Sequence, residues 1–277
     1  MDQFKKIKLL VCDMDGTLTY EESDNAAYTP SKKGLPERNH QSISEFIEAG
    51  GLFCVATGRL LEDVRSVLGD ELFSKSYKIV QNGSFAMDRE SNIAAEDFFS
   101  EEQSKRIYAK LRSLNLPFSC STLNQHTYES YVSDELMEQA FGNVVEKMEI
   151  TEKFAHPENP ANICVVRENV NDLRKDMERL HRVLADEEVN YQITSPYTID
   201  INPKSVNKGA AVSSLVEQFG IKATEVAVVG DSYNDISMFR CFPNSYAMTH
   251  AEEGVKKYAN HQISMVAEVF TEGCSIE

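Results

Sequence analysis

Asp13-Met14-Asp15-Gly16-Thr17 follows directly on the apolar run Ile7 to Cys12, and the fold turns on this junction. Two acids one residue apart stand where a buried strand ends, so both carboxylates are delivered together to a strand mouth. Such a pair is costly without a cation or a shared proton. Asp, Gly and Thr also form turns, and a strand must turn somewhere. Taken alone, the five residues allow either reading. Further segments favour the first. Val226 to Val229 is a second short apolar run, followed at once by Gly230-Asp231-Ser232-Tyr233-Asn234-Asp235. Leu52 to Ala56 ends in Thr57-Gly58-Arg59, and Asn207-Lys208-Gly209 opens a helix-like stretch. Each segment places phosphate-competent polar groups at a strand end or a helix start. Ligands of open parallel sheets bind beyond the carboxyl ends of the strands, which predicts that these residues converge.

Composition sets outer limits. At 277 residues the chain exceeds one compact domain of about 100 to 200 residues, and two are expected. With 42% hydrophobic and 26% charged residues it has an ordinary globular makeup. The formal net charge of −16 leaves no basic excess for a nucleic-acid backbone. An anionic ligand must then be drawn by a local positive site. No apolar stretch reaches the roughly 18 residues that span a bilayer, so no membrane partner is expected. The run after Lys8 stops at Asp13, which argues against a signal peptide and for a cytoplasmic protein. Six cysteines show neither Cys-x-x-Cys nor a zinc spacing; Cys12 and Cys54 fall in core strands and read as buried thiols. The scattered histidines offer no ligand pair.

The chain alternates strands and helices at both ends. Ile43, Phe46 and Ile47 make a helical stripe closed by Gly50-Gly51, and Val212, Leu215, Val216 and Phe219 repeat it before Gly220. Together with the apolar strands this predicts βαβ units on a parallel sheet. The middle differs. Ser100-Glu101-Glu102-Gln103 has capping-box form and starts a helix to about Ser113, followed by strands over Pro117 to Thr122 and His126 to Val132. Ile163 to Arg167 reads as a strand; Leu173, Met177, Leu180 and Leu184 make a helix before strands near Tyr191 and Thr198. A helix followed by two strands thus occurs twice. Glu152 to Asn162 reads as loop, and crossings between domains are expected near Ser84 and Asn202 to Val206. Tyr20 to Pro36 is polar and turn-rich, open to reading as a solvated loop or a flap over the site.

In their order, the Asp-x-Asp-Gly-Thr, Thr-Gly-Arg, Asn-Lys-Gly and Gly-Asp-x-x-Asn-Asp segments resemble the four motifs of the haloacid dehalogenase superfamily of phosphotransferases. Gln81-Asn82-Gly83-Ser84 and Ile199 to Lys204 resemble its Cof-type branch, subfamily IIB. The resemblance implies an α/β fold: a Rossmann-like parallel-sheet core over 1–83 and 203–277, with an α+β cap inserted at 84–202 as an antiparallel sheet with helices on one face. It implies a Mg²⁺-dependent phosphatase acting on a small phosphorylated metabolite, sugar phosphates first, as a monomer or small homo-oligomer. A phosphomutase with the same chemistry and a non-catalytic phospho-ligand sensor are the alternatives.

A carboxylate attacks a phosphate monoester poorly because both are anions, and a hard divalent cation relieves this. Asp13 and Asp231 are expected to ligate Mg²⁺ through their side chains, and the resemblance adds the Asp15 carbonyl. Asp13 would attack phosphorus to form an aspartyl phosphate. Asp15 would protonate the leaving oxygen and then deprotonate water. Dehalogenases of the superfamily lack this second Asp. Lys208 and Thr57 are expected to hold the phosphoryl oxygens, and Gly58 to let backbone approach them. Arg59 either reaches the phosphate or pairs with an acid, the second being favoured. Asn234 and Asp235 start a helix, where capping competes with ligand orientation by Asn234 and support of the metal site by Asp235. Asn82, Gly83 and Asn202 complete the expected substrate-binding set. The cap would choose the leaving group, with His126, Tyr128 and Tyr197 as candidates against a packing role. Two departures from the family pattern are Ser205, where Gly is common, and Thr249-His250-Ala251 in place of Gly-Asn-Ala.

Overall fold

The run before Asp13 forms strand β1 (Leu9–Cys12), and all of its residues are buried. A strand with no polar face is stable only inside a sheet covered on both sides. The computed structural model describes residues 7–20, 34–123, 125–129, 131–141, 146–148 and 159–272. After β1 come α1 (Glu37–Glu48), β2 (Leu52–Ala56), α2 (Leu61–Lys75), β3 (Tyr77–Val80), β4 (Phe85–Met87) and β5 (Ile93–Glu96). Then follow α3 (Glu101–Ser113), β6 (Phe118–Ser121), β7 (His126–Glu129), α4 (Asp134–Phe141), β8 (Glu146–Met148), β9 (Asn162–Val166), α5 (Val170–Val183), β10 (Val189–Ser195) and β11 (Thr198–Pro203). The last part contains α6 (Lys208–Phe219), β12 (Val226–Gly230), α7 (Ile236–Cys241), β13 (Asn244–Met248) and β14 (His261–Ile263).

Two compact units result: residues up to Glu96 together with those from Asn207 onward, and Asp97–Val206. The first holds a sheet in the order β14-β13-β12-β1-β2-β3-β4-β5, parallel from β14 to β3. Strand β1 lies between β2 and β12, so strand order reverses there and opens the crevice where such sheets take ligands. Helix α1 buries Ile43 and Phe46 as its stripe predicts. Helix α6 lays Val212, Leu215 and Val216 against Leu9, Val11 and Val228, each buried side chain contributing roughly 1.5–3 kcal/mol. Gly220 ends α6 in a left-handed conformation, φ 62°.

The chain leaves the first unit after Glu96 rather than near the expected Ser84, and returns to it after Val206, at the end of the expected Asn202 to Val206 stretch. Phe85–Met87 is buried and pairs antiparallel with β3, so β4 and β5 extend the first sheet and the chain leaves it only after Glu96. The hairpin turn is built by Asp88, whose carboxylate accepts from the backbone and side chain of Asn92 at 2.8 and 2.9 Å. The buried Lys78 ammonium donates to the Arg89 carbonyl at 2.7 Å, closing the same turn.

In the second unit the sheet runs β10-β11-β9-β6-β7-β8. Ser100 caps α3 by accepting from Gln103 N, as its capping-box form predicts. Ile107, Leu111, Leu173 and Leu180 pack with Phe118, Ile163, Val165, Ile199 and Ile201 on one face. Two expectations need correction. Helix α4 packs Met137 and Ala140 with Tyr128, Cys164 and Val166, residues that alternate with the first set and belong to the opposite face; the helices are therefore not confined to one face. Strand β8 pairs parallel with β7, so the sheet is not wholly antiparallel. Neither element announces itself in the sequence, because α4 has eight residues and buries only two of them. Most of the Tyr20 to Pro36 loop, and most of the Glu152 to Asn162 loop, lies outside the described residues.

Candidate active site

Asp13 continues the β1 ladder, its N–H donating to the Val229 carbonyl at 2.9 Å, and its side chain leaves the sheet at the β1 mouth. The following turn places Gly16 at φ 75°, where a Cβ would stand 2.5 Å from Asp231 Oδ2. Both conformation and space therefore demand glycine there. Thr17 reaches the same carboxylate from the other side, donating to Asp231 Oδ1 at 2.7 Å.

Lys208 is fully buried and donates to Asp13 Oδ1 at 2.6 Å and Asp235 Oδ1 at 2.7 Å. Burial alone would pull the lysine pKa down, but the two carboxylates outweigh it and hold it above its usual value. Asp235 spends its other oxygen on the backbone N–H groups of Asp231 and Ser232, both at 2.9 Å. Asn207 caps α6 through Ala210 N at 2.8 Å and so aims its first residue, Lys208, inward. At Gly209 a methyl group would run into the Ser237 carbonyl, so α6 closes on α7 through this position. Gly209→Ala is expected to destabilise the fold by about 1–3 kcal/mol, opposite to the usual helical Gly→Ala gain. A urea midpoint at or above the wild-type value would contradict that packing.

Oxygen ligand atoms of Asp13, Asp231 and Asp235 lie within 4.8 Å of one another. Burial raises the Asp13 carboxyl to about 7, with Lys208 opposing and Asp235 and Asp15 adding to the rise. Burial, with Asp13 and Asp235 nearby, holds Asp231 well above the carboxylate range. After the hydrogen bonds above, Asp13 Oδ2 and Asp231 Oδ2 are the cluster oxygens that receive no donor from the described residues.

Arg59 grips Asp15 with a two-pronged pair, Nε to Oδ2 at 2.7 Å and Nη2 to Oδ1 at 2.6 Å. Its partner in the structure is the acid. Thr57 is buried at the end of β2 and accepts from Arg59 N at 3.2 Å, which leaves its own proton available. Gly58 links these two residues in the loop. The Thr57 carbonyl accepts from Asn82 N at 2.9 Å, and Asn82 Oδ1 accepts from Asn234 Nδ2 at 3.1 Å. Gly83 lies against the Asn207 carbonyl. Asn234 Oδ1 is buried with no hydrogen-bond partner among the described residues.

Asp13, Asp15, Thr57, Gly58, Arg59, Asn82, Gly83, Lys208, Asp231, Asn234 and Asp235 all belong to the first unit. Asn202 belongs to the second, where its amide donates to the Ala161 carbonyl at 3.0 Å. Tyr128 is buried with its hydroxyl on Asp134, and Tyr197 packs beside it, which is the packing role. Two contributors were missed. Thr17 was in plain view within the first motif, but its partner is 214 residues away. His250, visible only as a departure from the family pattern, stacks on Tyr20 at 3.9 Å with its Nε2 3.9 Å from Asp231 Oδ2.

The family model for haloacid dehalogenase-like hydrolases matches residues 10–269. The 5-amino-6-(5-phospho-D-ribitylamino)uracil phosphatase YcsE of Bacillus subtilis is 26% identical over 259 residues, covering 92% of this chain and 89% of that protein. Among solved structures, SMU.1108c from Streptococcus mutans superposes with a TM-score of 0.82 at 19% identity, covering 98% of this chain and 100% of that one. The subclass IIB sugar phosphatase BT4131 superposes at 0.78 with 20% identity, covering 97% and 100%. With the matched model spanning the chain from β1 to beyond β14, and its relatives phosphatases, this protein belongs to the haloacid dehalogenase-like hydrolases and is a phosphatase of that family.

Proposed function

We propose that the protein hydrolyses a small phosphorylated metabolite through an aspartyl-phosphate intermediate on Asp13, with Mg²⁺ held between Asp13 and Asp231. The observation that carries this reading is the pair of oxygens, Asp13 Oδ2 and Asp231 Oδ2, that receive no donor from the described residues in a largely buried cluster of carboxylates. The available donors are all oxygens, which suits a hard divalent cation. Asp235 would not be a ligand, because both of its oxygens are already hydrogen-bonded. When bound, the cation supplies positive charge against the phosphoryl oxygens and the approaching carboxylate.

The chain's own groups divide the remaining work. Lys208 holds the Asp13 carboxylate through Oδ1 and so fixes its orientation for in-line attack on phosphorus. As the Asp13–phosphorus bond forms, the bond to the leaving oxygen breaks, and the Thr57 hydroxyl donates to a phosphoryl oxygen. The Asp15 carboxyl hands a proton to the leaving oxygen, then takes one from the water that cleaves the acyl phosphate. In the structure Arg59 occupies both Asp15 oxygens, so Asp15 must slip at least one prong to carry a proton. The second unit would select the leaving group. YcsE, named for a ribityl phosphate, supports a polyol or sugar phosphate as the substrate class. No described helix is long and apolar enough to cross a membrane. The buried free thiols of Cys12, Cys54, Cys120 and Cys164 fit a reducing compartment such as the cytoplasm.

A panel of phosphorylated metabolites assayed with Mg²⁺ tests the reaction: inorganic phosphate is the expected product, whereas an isomeric sugar phosphate would make the protein a mutase. Exhaustive EDTA treatment is expected to abolish turnover and Mg²⁺ to restore it, with Ca²⁺ a poor substitute. Binding is also read without turnover. At a concentration about 100 times its Kd, Mg²⁺ should stabilise the fold by about 2.7 kcal/mol in urea titrations. Full activity after chelation, or no stabilisation by Mg²⁺, would remove the metal from the reading.

A further inference from the structure

Three successive residues after β3 hold left-handed backbone: Gln81 at φ 53°, Asn82 at φ 59° and Gly83 at φ 112°. Residues with a Cβ take such angles at a cost, and Gln81 and Asn82 are almost wholly buried, so the surrounding chain must hold this turn in place. The contacts that do so come from other segments of the first unit's site. Gln81 N donates to the Arg59 carbonyl at 3.3 Å and Asn82 N to the Thr57 carbonyl at 2.9 Å. A Cβ on Gly83 would stand 2.7 Å from the Asn207 carbonyl, so the turn rests on the start of α6. Fixed in this way, Asn82 reaches Asn234, 152 residues on, and its Oδ1 accepts from Asn234 Nδ2 at 3.1 Å.

The backbone explains why asparagine is tolerated at position 82 but not why it is used, since glycine would take the same angle with less strain. What glycine lacks is the carboxamide. A carboxamide can turn over and exchange its oxygen for its nitrogen, and an acceptor beside it admits only one of the two orientations. Asn82 Oδ1 is that acceptor for Asn234. Held so, Asn234 spends one of its two Nδ2 protons on Asn82, while its buried Oδ1 has no partner among the described residues, in a residue 7% exposed. A buried acceptor left unpaired lowers stability, and a bound donor recovers that loss. The Asn234 carbonyl accepts from Ser237 Oγ at 3.1 Å, and the same Oγ accepts from Gly209 N at 3.0 Å, which joins this network to the helix start that carries Lys208.

We propose that Asn82 is a positioning residue of the phosphatase site: it fixes the orientation of the Asn234 carboxamide and acts on the bound phosphoryl group only through Asn234. The proposal rests on the phosphatase reading above and deepens it by one residue.

The test measures the Kd for inorganic phosphate by calorimetry, with Mg²⁺ present, in wild type, Asn82→Gly, Asn234→Ala and the double variant. Glycine keeps the left-handed backbone and removes the carboxamide. Asn82→Gly is expected to weaken phosphate binding about 10-fold in the wild-type background and by less than about twofold in the Asn234→Ala background, because the group it acts through is then gone. An equal loss in both backgrounds would make Asn82 merely structural, and no loss in wild type would leave it without a role; either overturns the proposal. A second measurement needs no variant at position 82. With asparagine side chains labelled with ¹⁵N, phosphate should shift the Asn234 amide resonance more than that of Asn82, and the reverse order would make Asn82 a direct ligand contact and overturn the proposal. Wild type that neither binds phosphate nor cleaves p-nitrophenyl phosphate would end the phosphatase reading and this proposal with it. Phosphate binding indifferent to Asn82→Gly would end the proposal alone.

Discussion

Asp13→Asn is expected to lower kcat by at least about 10³-fold on every phosphomonoester while the protein stays folded. The amide keeps the shape of the side chain but loses the nucleophilic oxygen and one of the charges that would hold a cation. Stability should not suffer. Burial and the nearby Asp235 and Asp15 already push the Asp13 carboxyl up to about 7, so the charged form is held against a cost that the amide does not carry. Lys208 keeps its second partner, Asp235, at 2.7 Å. The metal-free variant is therefore expected to melt at or above the wild-type temperature, and its stabilisation by Mg²⁺ to be much reduced. Retention of more than a few per cent of wild-type kcat in the purified variant would show that Asp13 is not the nucleophile.

Lys208→Met should produce the largest loss of stability. The ammonium is fully buried and is hydrogen-bonded to both Asp13 and Asp235, so its removal leaves two buried carboxylates facing each other. Breaking a buried ion pair from one side costs about 3–5 kcal/mol. Urea titration in the absence of metal should show a lower midpoint with an unchanged slope. The variant should also lose turnover, since nothing then holds Asp13 in position. The loss of stability has a defined pH sense. In wild type Lys208 opposes the rise of the Asp13 pKa, so without it the folded-state pKa climbs further above the unfolded value near 3.8. The folded variant then binds protons that the unfolded chain does not, and stability falls as pH rises through that window. The gap to wild type should accordingly be widest near about pH 8 and narrow toward about pH 5. A gap independent of pH would mean that the loss comes from packing rather than from unpaired charge.

Much of the first unit was legible because its signals are local. An all-apolar run needs burial on both faces, a stripe at Ile43 and Phe46 needs a helix over the sheet, and Gly220 ends α6 where a left-handed residue is required. Elements whose stability comes from distant neighbours were not legible. Helix α4 is short and acidic at its start and is held by contacts with β7 and β9. Strands β4 and β5 lie past Ser84 in sequence yet belong to the first sheet, because Phe85–Met87 finds its hydrogen-bond partners in β3.

The same division runs through the site. From the sequence alone came the residue types, their order, and the strand ends and helix starts that carry them, since these depend on periodicity, capping and the cost of carboxylates at a strand mouth. Partner choice came only with the tertiary structure. Arg59 and Asp15 are 44 residues apart, Lys208 and Asp13 are 195 apart, and Thr17 and Asp231 are 214 apart. Donors occupy both oxygens of Asp235, while Asp13 and Asp231 each keep one oxygen without a donor among the described residues. Hydrogen bonds between side chains so far apart leave no local pattern in a chain, because their geometry is set by the packing of sheet and helices around them.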